Sequence, residues 1–268
     1  MKPADIVCRG LEAVRQRRPM VHHITNTVVM NFTANVTLCL GAAPVMAPSI
    51  HESPEMVRYA GALLLNIGTL DPELVESMLA AGRAANENGI PIVFDPVGAG
   101  ATALRSDSAR RIAGELEISI VRGNAGEVLA LAGAGGKVRG VDSMEDVGRR
   151  ENVISRFAAD NGWVVAVTGV TDIVTDGRST AMVENGDPLM GRVTGTGCAA
   201  STAVACFAAS MDDLFEAAFA GIASMGIAGE MAAGAAGGPG TFVPLFLDRL
   251  AGLDPETVAE RIRASIDG

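Results

Sequence analysis

Apolar positions along this chain follow two rhythms that alternate. Over residues 4–17, Ile6, Val7, Leu11 and Val14 fall on one helical face, and Pro19 ends the pattern. Residues 31–40 repeat the helical spacing up to Gly41. Pro44 and Pro48 push the residues before them towards extended backbone, so residues 43–48 are expected as a short extended segment. The texture changes at Leu63-Leu64-Leu65-Asn66-Ile67-Gly68, a nearly continuous apolar run of the kind a parallel strand shows when both of its faces are covered. Similar runs return at 91–94, 118–121 and 163–169.

Helical stretches separate these runs. Asp71-Pro72 supplies an N-cap and a first-turn proline for one helix, and Asn88-Gly89 stops it. Others are expected over 106–116 and 143–161, with a loop at 133–140. Residues 173–175 and 180–183, parted by Asp176-Gly177, read as an antiparallel hairpin, and Asn185-Gly186 as a second turn. From residue 195 the chain is expected to be almost all helical, with one break at Gly237-Gly238-Pro239-Gly240. Strand alternating with helix predicts an α/β fold with a central, mostly parallel sheet flanked by helices on both faces.

Composition narrows this. Without any linker-like stretch, residues 1–268 are expected to form one domain. A net charge of −10 argues against nucleic acid or an anionic membrane as partner. The apolar run 217–229 stops short of the roughly 18 residues of a membrane span, so it predicts a buried helix. Four cysteines show no metal-ligand spacing with the three histidines, and residues 1–18 lack a signal-peptide core, so a reduced, cytoplasmic protein is expected.

The candidate chemistry centres on Val193-Thr194-Gly195-Thr196-Gly197-Cys198-Ala199-Ala200-Ser201. Its glycines free the backbone to present N–H groups, and the Ala-rich run after them reads as a helix, which together make a socket for an anion. A thiol in the first turn would feel the positive end of the helix dipole, so Cys198 is expected to favour its thiolate. Asp95 ends an apolar run and leads into Pro96-Val97-Gly98-Ala99-Gly100, while Arg122-Gly123-Asn124-Ala125-Gly126-Glu127 ends the next. Ligands of open α/β sheets bind at such strand ends, and two carboxylates with a guanidinium suit a Mg-bound polyphosphate. Asn26 and Asn31 could donate and accept at a ligand, whereas the adjacent His22 and His23 point different ways and make a poor metal pair.

Two phosphate motifs fail. Residues 133–138 lack the first glycine and the final Ser or Thr of a Walker loop, and Gly195 to Ala200 matches a dinucleotide fingerprint only in letters, since helices follow it. A cysteine hydrolase would need His22, His23 or His51 as base, and a non-catalytic nucleotide-binding regulator would use the same cation. The residues alone leave both open.

Taken together and in order, His22-His23-Ile24-Thr25-Asn26, residues 43–47, residues 95–102, residues 122–127 and Thr194-Gly195-Thr196-Gly197-Cys198 resemble hydroxyethylthiazole kinase of the ribokinase-like superfamily. The resemblance covers essentially the whole chain. It implies ATP- and Mg-dependent phosphorylation of the hydroxyl of 4-methyl-5-(2-hydroxyethyl)thiazole for thiamine synthesis. It further implies that Met46 (through its main chain), Asn26 and Gly195 meet the thiazole, that Arg122, Thr168 and Asn124 serve ATP, and that Asp95 and Glu127 serve the metal. Gly195, Thr196, Gly197 and Cys198 would form the anion hole, with Cys198 at the position of the catalytic base. A homotrimer with sites between subunits is implied as well. A related pyrimidine or sugar kinase is the nearest alternative.

Overall fold

Each apolar run of the first two thirds becomes a strand because helices cover the sheet on both sides. The computed structural model describes residues 2–133 and 144–268, with the backbone alone over 144–150. The Walker-like letters after Gly133, the rest of the loop 133–140 and the helix start at Ser143 lie outside the described residues. The strands are β1 (Met20–Ile24), β2 (Ala43–Val45), β3 (Ala62–Asn66), β4 (Ile92–Asp95), β5 (Ile120–Asn124), β6 (Val164–Thr168), β7 (Asp172–Thr175), β8 (Thr180–Val183) and β9 (Ala264–Asp267). They form one sheet in the order β2-β1-β3-β4-β5-β6-β7-β8-β9. The pairs from β2 to β6 are parallel, and the last three are antiparallel.

The two faces bury different residues of the same strand. Leu64 packs with the helices Pro3–Arg17, Thr196–Ala208 and Leu214–Ala235, while Leu63 and Leu65 pack with Pro72–Glu87 and Ala103–Glu115 on the other side. That is why the run shows no alternation. Asp71 caps its helix as the sequence predicts, accepting from Leu74 N at 2.8 Å.

Two strands escape the sequence reading. His22 and His23, considered above as a metal pair, lie in β1 and are wholly buried. The C-terminal stretch, expected to be helical, ends in β9 against β8. β9 is short and half exposed at the sheet edge, so its composition carries little strand signal. The strand expected at 118–121 also runs on to Asn124, carrying Arg122 inside the sheet.

Leu214–Ala235 is longer than the apolar run within it and passes a length and composition test for a membrane span, yet 78% of its 18-residue window is buried inside the fold. It is the core helix of one face. Small residues set its distance from Thr196–Ala208: a Cβ added at Gly221 would lie 2.8 Å from Val204 N and 2.9 Å from its Cα. Backbone cannot swing aside as a side chain can. Gly221→Ala should therefore cost about 1–3 kcal/mol, read as a lower urea midpoint with an unchanged slope.

Candidate active site

The carboxyl ends of β1, β3, β4, β5 and β6 deliver polar side chains to one edge of the sheet, facing the first two turns of Thr196–Ala208. Gly195 is the N-cap of that helix, with φ 89°, and a Cβ there would lie 2.7 Å from Val29 Cγ1. Only glycine fits such a conformation at such a contact. Ala199 N–H makes the first bond back to Gly195 O at 2.8 Å, so the N–H groups of the turn before it point out of the helix end. Thr196 is held separately, its hydroxyl donating to Met190 O at 2.9 Å.

Below this turn lies Asp95, with no solvent exposure. Its Oδ2 accepts from Ser201 Oγ at 2.6 Å and from Asn66 Nδ2 at 2.8 Å, and stands 3.8 Å from Arg122 Nη1. Its Oδ1 is buried without a hydrogen-bond partner. Burial pushes the carboxyl up to about 6, against the pull of Arg122 and Ser201. Arg122 also donates to Thr168 Oγ1 and passes close under Gly197, where a Cβ would meet Nη1 at 3.0 Å.

The chain of side chains continues to the thiol. Asn26 Nδ2 donates to Asn66 Oδ1 at 2.8 Å and to Cys198 Sγ at 3.4 Å. The structure corrects the expectation for Cys198: its pKa is raised, not lowered, because burial and then the nearby Asp95 charge outweigh the donors Asn66 and Asn26 and the Arg122 charge. At neutral pH it is a thiol.

Glu127 serves two loops. Its Oε2 accepts from Asn124 N at 2.8 Å while Asn124 Oδ1 accepts from Glu127 N at 3.0 Å, a capping box for the helix Ala125–Leu131. Its Oε1 accepts from Gly98 N at 2.8 Å, which ties the loop after β4 to the end of β5. The three-residue spacing of Asn124 and Glu127 thus has a local structural cause.

A cavity of about 750 Å³ opens beside these groups, lined by Arg122, Asn124, Thr168, Thr196 and Gly197. Asn26, Met46, Asp95, Glu127, Gly195 and Cys198 are not part of its wall. Met46 follows β2 at the sheet edge, and His22 Nε2–H donates to the carbonyl of its neighbour Ala47 at 3.0 Å. His23 Nε2 lies 3.2 Å from Thr37 Oγ1, and burial holds that ring down to about 3. Asn31, the other amide considered, stays exposed at the start of its helix and receives Asn35.

Sequence reasoning missed four residues. Asn66 hides as a polar letter in an apolar run, and Ser201 as a small residue in an Ala-rich helix. Arg105 reaches from its helix to the carbonyls of Ile67, Val97 and Gly68 at 2.8–2.9 Å, fastening the loops after β3 and β4. Asp172 lines the cavity, accepts from Gly169 N at 2.8 Å and is pushed up to about 6 by burial. A carboxylate three residues after Gly169 was the available signal for the last.

The same arrangement of sheet and helices occurs in a ribokinase-like superfamily protein from Enterococcus faecalis, at 12% identity and TM-score 0.62, with 92% of this chain and 93% of that one covered. The fold is thus ribokinase-like. A structure of a hydroxyethylthiazole kinase protein from Pyrococcus horikoshii matches at 40% identity and TM-score 0.90, covering 98% of this chain and all of that one (100%). Hydroxyethylthiazole kinase from Methanocella arvoryzae is 53% identical over 253 residues, 94% of this chain and 95% of its own length. The sequence profile of the hydroxyethylthiazole kinase family matches residues 11–256. The chain belongs to the hydroxyethylthiazole kinase family, and its activity is that of a kinase.

One consequence of the buried carboxylate can be measured. Asp95 titrates near 6 when folded and near 3.8 when unfolded, so between those values the folded chain holds the extra proton and stability falls as pH rises. Above about 6 the whole cost, on the order of 2–3 kcal/mol, is present. Asp95→Asn removes it. In metal-free buffer the variant should melt above the parent at about pH 8, the gap closing towards about pH 4.

Proposed function

We propose that the protein transfers the γ-phosphoryl group of Mg-bound ATP to the hydroxyl of 4-methyl-5-(2-hydroxyethyl)thiazole, supplying the thiazole half of thiamine. The observation that carries this reading is the meeting of two groups of residues at one helix start. Arg122 lies beneath Gly197 and bonds Thr168 on the cavity side, while Cys198 bonds Asn26 on the other. ATP occupies the cavity, with Arg122, Thr168 and Asn124 near its phosphates. The thiazole lies against Asn26, Gly195 and the main chain of Met46, in the segment that His22 pins through Ala47.

The N–H groups of Gly195, Thr196, Gly197 and Cys198 form the anion hole for the moving phosphoryl. Such donors act by being already oriented where charge develops. Asp95 and Glu127 serve Mg²⁺. The unpartnered buried Oδ1 of Asp95 suits a hard cation or its water, and each Glu127 oxygen, already accepting one N–H, retains a further lone pair. Bound with ATP, the ion would neutralise charge on the phosphate oxygens.

Residues 1–268 act as one domain in this reading, since one sheet runs from residue 20 to residue 267. The four free cysteines suit a reducing cytoplasm. A homotrimer completes the thiazole side: Val28, just before the helix Met30–Leu40, and Leu38 within it are apolar and 65% and 58% exposed, and Phe32 of that helix lies against Gly195. Sedimentation should give about three times the 27.4 kDa chain mass.

Cys198 orients the hydroxyl and takes its proton. As burial raises the thiol, the accepting form grows only at alkaline pH, so kcat should climb from about pH 7 to about 9. Cys198→Ser should lower kcat by roughly 10²–10⁴ with ATP affinity retained. Cys198→Asp should remain active with that climb flattened, its carboxylate being ionised throughout. The primary test is mass detection of phosphorylated thiazole from purified protein, ATP, Mg²⁺ and thiazole. Product that forms without any one of the three added components, or none with all of them, overturns the reading.

A further inference from the structure

We propose that Asn66 is a positioning residue whose amide decides which atom Asn26 turns towards Cys198. Asn66 ends β3 and has no solvent exposure. Its two amide ends are told apart by partners of fixed kind. The backbone N–H of Gly68 can only donate, and it lies 2.9 Å from Asn66 Oδ1. On the other side Asp95 Oδ2, an acceptor when ionised, lies 2.8 Å from Asn66 Nδ2. The amide therefore has one orientation.

Asn26 follows from it. The atom facing Asn66 Oδ1 at 2.8 Å has to be a donor, so it is Nδ2, and that same nitrogen reaches Cys198 Sγ at 3.4 Å. The sulfur is offered an N–H rather than a carbonyl. Its own hydrogen, when present, is then free to point elsewhere, and its lone pairs are steadied when it is absent. Gly68 holds the side chain from behind: a Cβ there would lie 2.7 Å from Asn26 Nδ2 and 2.8 Å from its Cγ. Asn26 rests on bare backbone and is steered by a single amide.

Without Asn66, nothing among these contacts selects the flip of Asn26, and Asp95 Oδ2 keeps Ser201 as its one close donor. The inference rests on the phosphoryl-transfer reading above, because Asn66 acts on the thiol proposed to face the substrate hydroxyl, both as a donor beside Asn26 and by setting the amide of Asn26.

A double-mutant cycle tests it. Parent, Asn26→Ala, Asn66→Ala and the double variant are compared for kcat, for KM of thiazole and ATP, for ATP affinity by calorimetry and for melting temperature. Asn66→Ala should lower kcat at least about tenfold with ATP affinity within about twofold. The double variant should lose at least about fivefold less than the product of the two single losses, because the second change removes an effect already gone. Should Asn66→Ala fail to fold, Asn66→Ser takes its place in the cycle. An Asn66 variant with parental kcat, or two losses that simply multiply, overturns the inference. A parent that makes no phosphorylated thiazole overturns the activity reading and this inference with it, whereas multiplying losses in an active parent overturn this inference alone.

Discussion

A carboxylate shut away from water must be met by donors from whatever elements surround it, and Asp95 imposes that demand on three of them. β3 answers with Asn66, the helix Thr196–Ala208 with Ser201, and β5 with Arg122. Their mutual positions are therefore fixed at a point inside the protein, one layer below the surface where chemistry would occur. The glycine turn inherits its place from this: Ser201 ties the helix down about one turn after Cys198, and Arg122 runs close beneath Gly197. Packing through small residues makes the approach possible. A helix whose neighbour carries Gly221 can come near enough for a serine to reach a strand end.

What the chain disclosed in advance follows the same physics. Doubly covered strands such as Leu63-Leu64-Leu65 were legible because burial on both faces leaves no polar letters to confuse, and caps such as Asp71 because a side-chain oxygen and a proline suffice to identify them. β1 was hidden because His22 and His23 sit in a strand for reasons only the tertiary structure supplies, namely the carbonyl of Ala47 and the hydroxyl of Thr37. β9 was hidden because an edge strand needs little apolar content.

Among site residues, those at strand ends and in the glycine turn could be picked out by type and place: Asp95, Arg122, Glu127 and Cys198. Their electrostatics could not. The dipole argument for Cys198 was sound for an exposed thiol, but burial reverses its sign. Nor could the sequence reveal that the Glu127 carboxylate spans Gly98 and Asn124. The loops after two adjacent strands are thereby bound into one unit, so a ligand that draws on this carboxylate draws on both loops at once.

Between Asp95 and Cys198 the connection runs through two amides, Asn66 and Asn26, and through nothing that titrates. Amides pass on geometry and refuse protons. The two ends of the chain are thus coupled in position yet insulated in charge transfer: a shift of the carboxylate can move the thiol, but no hydrogen ion can be relayed from one to the other along this path. On the reading proposed above, the proton released by the substrate alcohol leaves by way of the sulfur or with the phosphoryl group. Along this path the buried acid is no sink for it.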